Sequence, residues 1–137
     1  MENCIFCKII AGEISSTKIY EDDAVLAILD INPVNEGDTL VMPKKHYENM
    51  EALPEAELVA LAKAVKKIGQ ALKNGLGISG YNVTLNNDPI AGQMIPHFHW
   101  HVIPRLSEDG LKLWPQRQYE TTEDMEEAAK KIRTALE

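Results

Sequence analysis

The run His97-Phe98-His99-Trp100-His101-Val102-Ile103 sets three imidazoles at alternate positions. In an extended strand alternate side chains share a face, so the three rings project together while Phe98, Trp100 and Val102 point the other way, into a core. A strand is therefore expected over Ile95 to Ile103, one surface apolar and the other chemical. Pro96 and Pro104 bracket the run, and it holds three of the chain's four histidines beside a glycine-containing loop. Two chemistries use such a face. Neutral imidazoles hold zinc well. Alternatively, one imidazole attacks phosphorus while its neighbours donate hydrogen bonds to the phosphoryl oxygens and assist the leaving group, through a labile phosphorus–nitrogen bond.

Upstream of the run, Tyr81 to Leu85 reads as a strand, separated from it by the irregular loop Asp88-Pro89-Ile90-Ala91-Gly92-Gln93. Before that, Leu58, Leu61, Val65, Ile68 and Leu72 recur at helical spacing, which predicts a long helix from Pro54 to Asn74. Pro54 suits its first position, and Gly75 is placed to cap its end. Thr39 to Met42 reads as a strand stopped by Pro43, and Lys18 to Tyr20 with Ala24 to Asp30 as a hairpin turned at Glu21-Asp22-Asp23. Cys4 to Gly12 is a short amphipathic helix. Glu123 to Leu136 is a second, with Met125, Ala128, Ala129, Ile132 and Leu136 on one face. Terminal and central helices around hairpin-like strands predict an α+β fold with an antiparallel sheet. One domain is expected over residues 1–137, with a core over 4–106 and a helical tail over 122–137.

Composition narrows the function. The 137 residues carry a net charge of -7, against a phosphate-tracking nucleic-acid surface, and 45% apolar content is enough for a real core. No apolar stretch approaches the roughly 20 residues of a membrane span, and the start lacks a signal-peptide pattern, so a cytoplasmic location is expected. Gly75-Leu76-Gly77-Ile78-Ser79-Gly80 matches a dinucleotide fingerprint only literally, since helix precedes it and strand follows. Asn82-Val83-Thr84 fits a glycosylation sequon that means nothing without export, and Lys44-Lys45 reads as a solvated turn. Cys4-Ile5-Phe6-Cys7 suggests metal binding or redox work. Redox work calls for a pair between strand and helix in a βαβ unit, which the setting of this one does not match.

The pattern His-φ-His-φ-His-φ-φ, with φ apolar, is the signature of the histidine triad family, which this chain resembles. The resemblance continues through Cys4 to Ile10, Glu21-Asp22-Asp23, Leu29 to Pro33, Val41 to His46 and Asn86 to Arg105, and is closer to the Hint branch than to the Fhit branch. It implies a five-stranded antiparallel sheet, a homodimer whose sheets join, and hydrolysis of purine nucleoside phosphoramidates or related nucleotidyl bonds through a nucleotidyl-histidine, with no organic cofactor. By the same resemblance His99 is the nucleophile, His101 contacts the phosphate and Asp30 holds the ribose hydroxyls. Ile5, Phe6, Ile9, Ile28 and Ile31 match the walls of the base pocket, although core packing serves equally for each. Asn86, Gly92 and Gln93 match the loop that positions phosphate and leaving group, Gln93 being counted with the catalytic residues. Trp114-Pro115 resembles a segment at the family's active-site rim. Many bacterial members hold zinc with a Cys-x-x-Cys pair, a histidine after Pro-Lys-Lys and the first triad histidine, so the resemblance implies Cys4, Cys7, His46 and His97 as the ligands of one structural zinc per subunit.

Two positions depart from the pattern. Asp38 stands where the family commonly has a fourth active-site histidine, and a carboxylate there either hydrogen-bonds an imidazole and favours its charged form or repels an anionic substrate. Met94 stands where a serine often assists the leaving group, and a thioether cannot donate. Two other readings stay open from the residues: a nucleotide-binding module without turnover, and a metalloenzyme using all three strand histidines.

Overall fold

The computed structural model describes residues 3–137. Its order is α1 (Ile5–Ile10), β1 (Lys18–Glu21), β2 (Val25–Leu29), β3 (Thr39–Pro43), α2 (Glu55–Leu76), β4 (Gly80–Leu85), a 3-10 turn (Pro89–Ala91), β5 (Trp100–Arg105) and α3 (Thr122–Leu136). The five strands form one antiparallel sheet in the order β1-β2-β3-β5-β4. The α+β expectation is met. At the acidic turn Asp22 Oδ1 accepts the N–H groups of both Ala24 and Val25 at 2.8 Å, which closes the β1–β2 hairpin.

Strand alternation sorts the core into two faces. Val25, Ala27, Val41, Phe98 and Val102 pack with Leu61, Ala64, Val65, Ile68 and Leu72 of α2. Leu26, Ile28, Leu40 and Met42 face the other way and pack with Cys4, Phe6 and Ile9 at α1. The central strands are thus apolar on both sides. His101 pairs with Leu40 on β3 and Thr84 on β4, so its side chain emerges on the α1 face. There α1 covers β2 and β3, while His101, Ile103, Thr84 and Asn82 stay half-buried. The candidate site lies beside α1 on this partly open half of the sheet.

Several boundaries move, each for a physical reason. The last strand starts at Trp100 rather than Ile95, because Pro96 has no N–H for the ladder and the His97 N–H turns back to the Ile95 carbonyl at 2.8 Å. The Phe98 N–H goes instead to the Tyr47 carbonyl at 2.7 Å. Facing survives the irregularity, since Phe98 and Val102 are fully buried against α2. Pro43 joins β3 opposite Val25 instead of stopping before it. Pro54 is the N-cap of α2, and Gly77 rather than Gly75 ends that helix, in the left-handed region at φ 67° with its N–H on the Lys73 carbonyl. Beyond that turn Ile78 returns to the core. α3 starts at Thr122, the hydroxyl of its N-cap Thr121 accepts the Asp124 N–H at 3.0 Å, and the helix buries no side chain.

Candidate functional site

Two clusters meet at residues 97–101. In the first, Cys4 is the N-cap of α1 and its sulfur accepts the Cys7 N–H, which sets both thiols on one side of that first turn. Cys4 Sγ lies 3.4 Å from His97 Nδ1, Cys7 Sγ 3.6 Å from the same nitrogen and 3.4 Å from His46 Nδ1. One donor atom from each of the four residues lies within 4.8 Å of the others. The tautomer of His97 follows from its far side: Nε2 is 2.8 Å from the Pro43 carbonyl, which only accepts, so Nε2 carries the hydrogen and the Nδ1 lone pair faces the thiols. Burial pushes the His97 imidazole down to about 4, against the pull of that carbonyl, with His46 and His99 adding to the depression. Burial likewise pushes the Cys7 thiol up, helped by Cys4. Two imidazoles beside two thiols make a closed N2S2 donor set that fits a soft tetrahedral cation.

In the second cluster, His99 Nδ1 lies 2.8 Å from the carbonyl of His97. The same logic puts the hydrogen on Nδ1 and the lone pair on Nε2. Burial lowers the affinity of this ring for a second proton; the carbonyl opposes that, the neighbouring His101 adds to it and Asp30 opposes it. His99 is therefore neutral at pH 7 with an available nitrogen. Phe6 stands edge-on to both His97 and His99, at 5.8 and 5.0 Å between centroids, and so separates the sulfur-rich cluster from the reactive ring. The His101 ring is 5.3 Å from that of His99. Its Nδ1 is 3.4 Å from Asp38 Oδ1 and 3.9 Å from Asp30 Oδ2. Asp38 is 1% exposed, and its other oxygen accepts the Val34 N–H at 3.2 Å. Asp30 Oδ1 accepts from the Asn32 N–H at 2.9 Å.

The remaining expected residues divide. Phe6, Ile9 and Ile28 belong to the core under α1, whereas Ile5 and Ile31 are exposed. Gly92 has φ 96°, a left-handed backbone that favours glycine, and the loop there passes beside Asn86. Gln93 is fully committed inside that loop. Its Nε2 donates to the carbonyls of Glu48 and Ile95, and its Oε1 accepts the Asp88 N–H. It braces the loop, and has no amide hydrogen left for a substrate. Met94 points out, Lys44 pairs with Glu21 at 2.9 Å, and Trp114 lies exposed on a groove of about 320 Å³ with Val34, Thr84 and Ile103.

Sequence reading missed a third group. Arg105 holds Asp109 through Nε at 2.7 Å and donates to Asn82 Oδ1 at 2.9 Å, while Asn35 joins Asp109 to the Pro104 carbonyl. This clip ties the loop before Asp38 to the exit of β5. The nearest signal was the turn-forming character of Asn35, which carries no information about its partner.

A family model described as "HIT domain" matches residues 11–108. An uncharacterized HIT-like protein of Methanocaldococcus jannaschii is 55% identical over 107 residues, covering 78% of this chain and 82% of that one. A Schizosaccharomyces pombe protein named adenosine 5'-monophosphoramidase is 41% identical over 115 residues, covering 82% and 84%. The crystal structure of a zinc-bound histidine triad family protein from Mycobacterium smegmatis is similar with a TM-score of 0.78 at 33% identity, over 99% of each chain.

Proposed function

The chain belongs to the histidine triad family, defined by its HIT domain, and from that premise we propose that it hydrolyses purine nucleoside phosphoramidates or related nucleotidyl bonds through a nucleotidyl-histidine. One observation carries the reading: His99 gives its Nδ1 hydrogen to the His97 carbonyl and, kept neutral by burial, turns an Nε2 lone pair to the open half of the sheet. That lone pair attacks phosphorus. The bond from phosphorus to the leaving amine breaks with its electron pair going to nitrogen, and the nucleotide stays on His99. Water then attacks phosphorus, and the phosphorus–nitrogen pair returns to the imidazole. His101 and the backbone N–H groups near Gly92 stabilise the phosphoryl oxygens, with Asn86 positioning them and Gln93 holding the loop. Asp30 takes the ribose hydroxyls, and the base lies against Ile5 and Ile31 over a floor of Phe6, Ile9 and Ile28. The name of the fission-yeast relative, a monophosphoramidase, supports this substrate class.

Cys4, Cys7, His46 and His97 would hold one structural zinc per subunit, as the donor chemistry and the zinc-bound relative support. Zinc there supplies rigidity to α1 and the base of residue 97, and takes no part in bond making. The protein acts as a cytoplasmic homodimer with joined sheets. The sheet ends at β1 and β4, which leaves two edges for a second copy. Brief incubation with an adenosine phosphoramidate, followed by intact mass spectrometry, tests the chemistry. An adenylyl adduct that disappears in His99→Ala while the metal is retained is the expected result. No adduct under any trapping condition overturns it in favour of nucleotide binding alone, and activity abolished by chelators together with an unaffected His99→Ala favours a metalloenzyme.

A further inference from the structure

The departing amine must receive a proton, because an amide anion is too basic to leave. Gln93 and Met94 occupy the loop that faces the leaving group by resemblance, and neither supplies one: both hydrogens of the Gln93 amide go to loop carbonyls, and a thioether has none. Of the described side chains beside His99 on this half of the sheet, His101 is the one whose ring can carry a transferable N–H hydrogen. Two carboxylates face its ring. From the loop before β3, Asp38 presents a carboxylate to Nδ1 at 3.4 Å; from the end of β2, Asp30 presents another at 3.9 Å; His99 flanks the ring with its own uncharged imidazole. A carboxylate buried as thoroughly as Asp38 calls for a cation or hydrogen-bond donors to answer it. Among the described residues, His101 is the cation-forming group within 4.0 Å of it.

We propose that Asp38 is a positioning residue that makes His101 the proton donor to the leaving group; this rests on the reading of His99 as nucleophile. A carboxylate only accepts, so Nδ1–H is directed to Asp38 and Nε2–H is left for the substrate. As His99 Nε2 bonds to phosphorus and the phosphorus–nitrogen bond breaks, the electron pair on the departing nitrogen takes the Nε2 proton of His101. The amine leaves neutral, and His101 becomes a neutral imidazole still donating Nδ1–H to Asp38. In the second half-reaction the attacking water gives its proton to that Nε2, which restores the imidazolium as the nucleoside monophosphate is released. Asp38 plays the part that an aspartate plays beside a catalytic histidine in hydrolases: it fixes the tautomer and answers the positive charge.

The test uses two leaving groups on the full-length protein. An adenosine 5'-phosphoramidate of an alkylamine needs a proton to depart, whereas the p-nitrophenyl ester of AMP does not. In Asp38→Asn the rate of adenylyl-enzyme formation is expected to fall about 100-fold for the alkylamine and to stay within about threefold for the ester, the range of general acid catalysis. His101→Gln, which also removes a contact to the phosphoryl oxygens, should slow both substrates, the alkylamine about 100-fold more than the ester. Equal losses on both substrates, or none on either, overturn the proposal. If Asp38→Asn does not fold, as judged by circular dichroism, Asp38→Ser carries the same comparison, since it keeps an acceptor but no negative charge. Failure of the nucleotidyl-histidine reading is seen separately, as the absence of adenylyl-His99 in the unmodified protein with the p-nitrophenyl ester.

Discussion

Asp109 illustrates how much one side chain does outside the triad. The Arg105 guanidinium, then the N–H groups of Leu106 and Leu111, hold its carboxyl well below the usual carboxylate range. A depressed folded value means that the unfolded chain takes up the proton first as pH falls, so the stabilisation is present above about 3.9 and is lost below it. Asp109→Asn is expected to lower Tm by a few degrees at pH 7, with the difference shrinking steadily as pH falls from about 4 towards 2. Thermal melts across that range check it, and a pH-independent difference would show that the ion pair contributes nothing. At this scale the sequence was legible where chemistry repeats in register: His97, His99 and His101 announced themselves by alternation. Asn35, Arg105 and Asp109 did not, because Asn35 lies 69 and 74 positions from the two residues it joins, Pro104 and Asp109.

Among the elements, α1 is the one that cannot stand alone. It has six residues, far below the length at which a helix persists in water, so its packing residues Phe6 and Ile9 and the two cysteines must hold it. Protein purified under reducing conditions should contain one zinc per chain by elemental analysis. Exhaustive chelation, or Cys4→Ser with Cys7→Ser, should release α1, lower Tm by at least about 5 °C and weaken nucleotide binding, since Phe6 leaves the flank of His99. Purified protein without metal, and as stable as the chelated form, would reject the site. Element types were readable from periodicity throughout. Their ends were less so, since they are set by partners distant in sequence: the Tyr47 carbonyl takes the Phe98 N–H away from a regular ladder, and Ile78 must return to the core after Gly77.

At the level of the whole molecule, the amphipathic tail poses the largest demand. Met125, Ile132 and Leu136 of α3 are 50%, 62% and 80% exposed, an apolar stripe that a single chain leaves in water. Light scattering after size exclusion is expected to give twice the 15.3 kDa of one chain, and a monomer at micromolar concentration would remove the homodimer from the reading. The strand order was the part of the fold that residues alone left unsaid. Placing β5 between β3 and β4 depends on the connection through α2, and local patterns carry no record of which strands will meet.

Residue 97 belongs to both clusters at once, its ring turned to the sulfur atoms and its carbonyl to His99. The two contributions differ in what mutation can reach. Any amino acid at this position supplies the carbonyl, whereas only a ligand-bearing one supplies the ring. An evolving lineage can therefore discard the metal by exchanging Cys4, Cys7, His46 and the His97 side chain as a set, and inherit the orientation of its nucleophile intact.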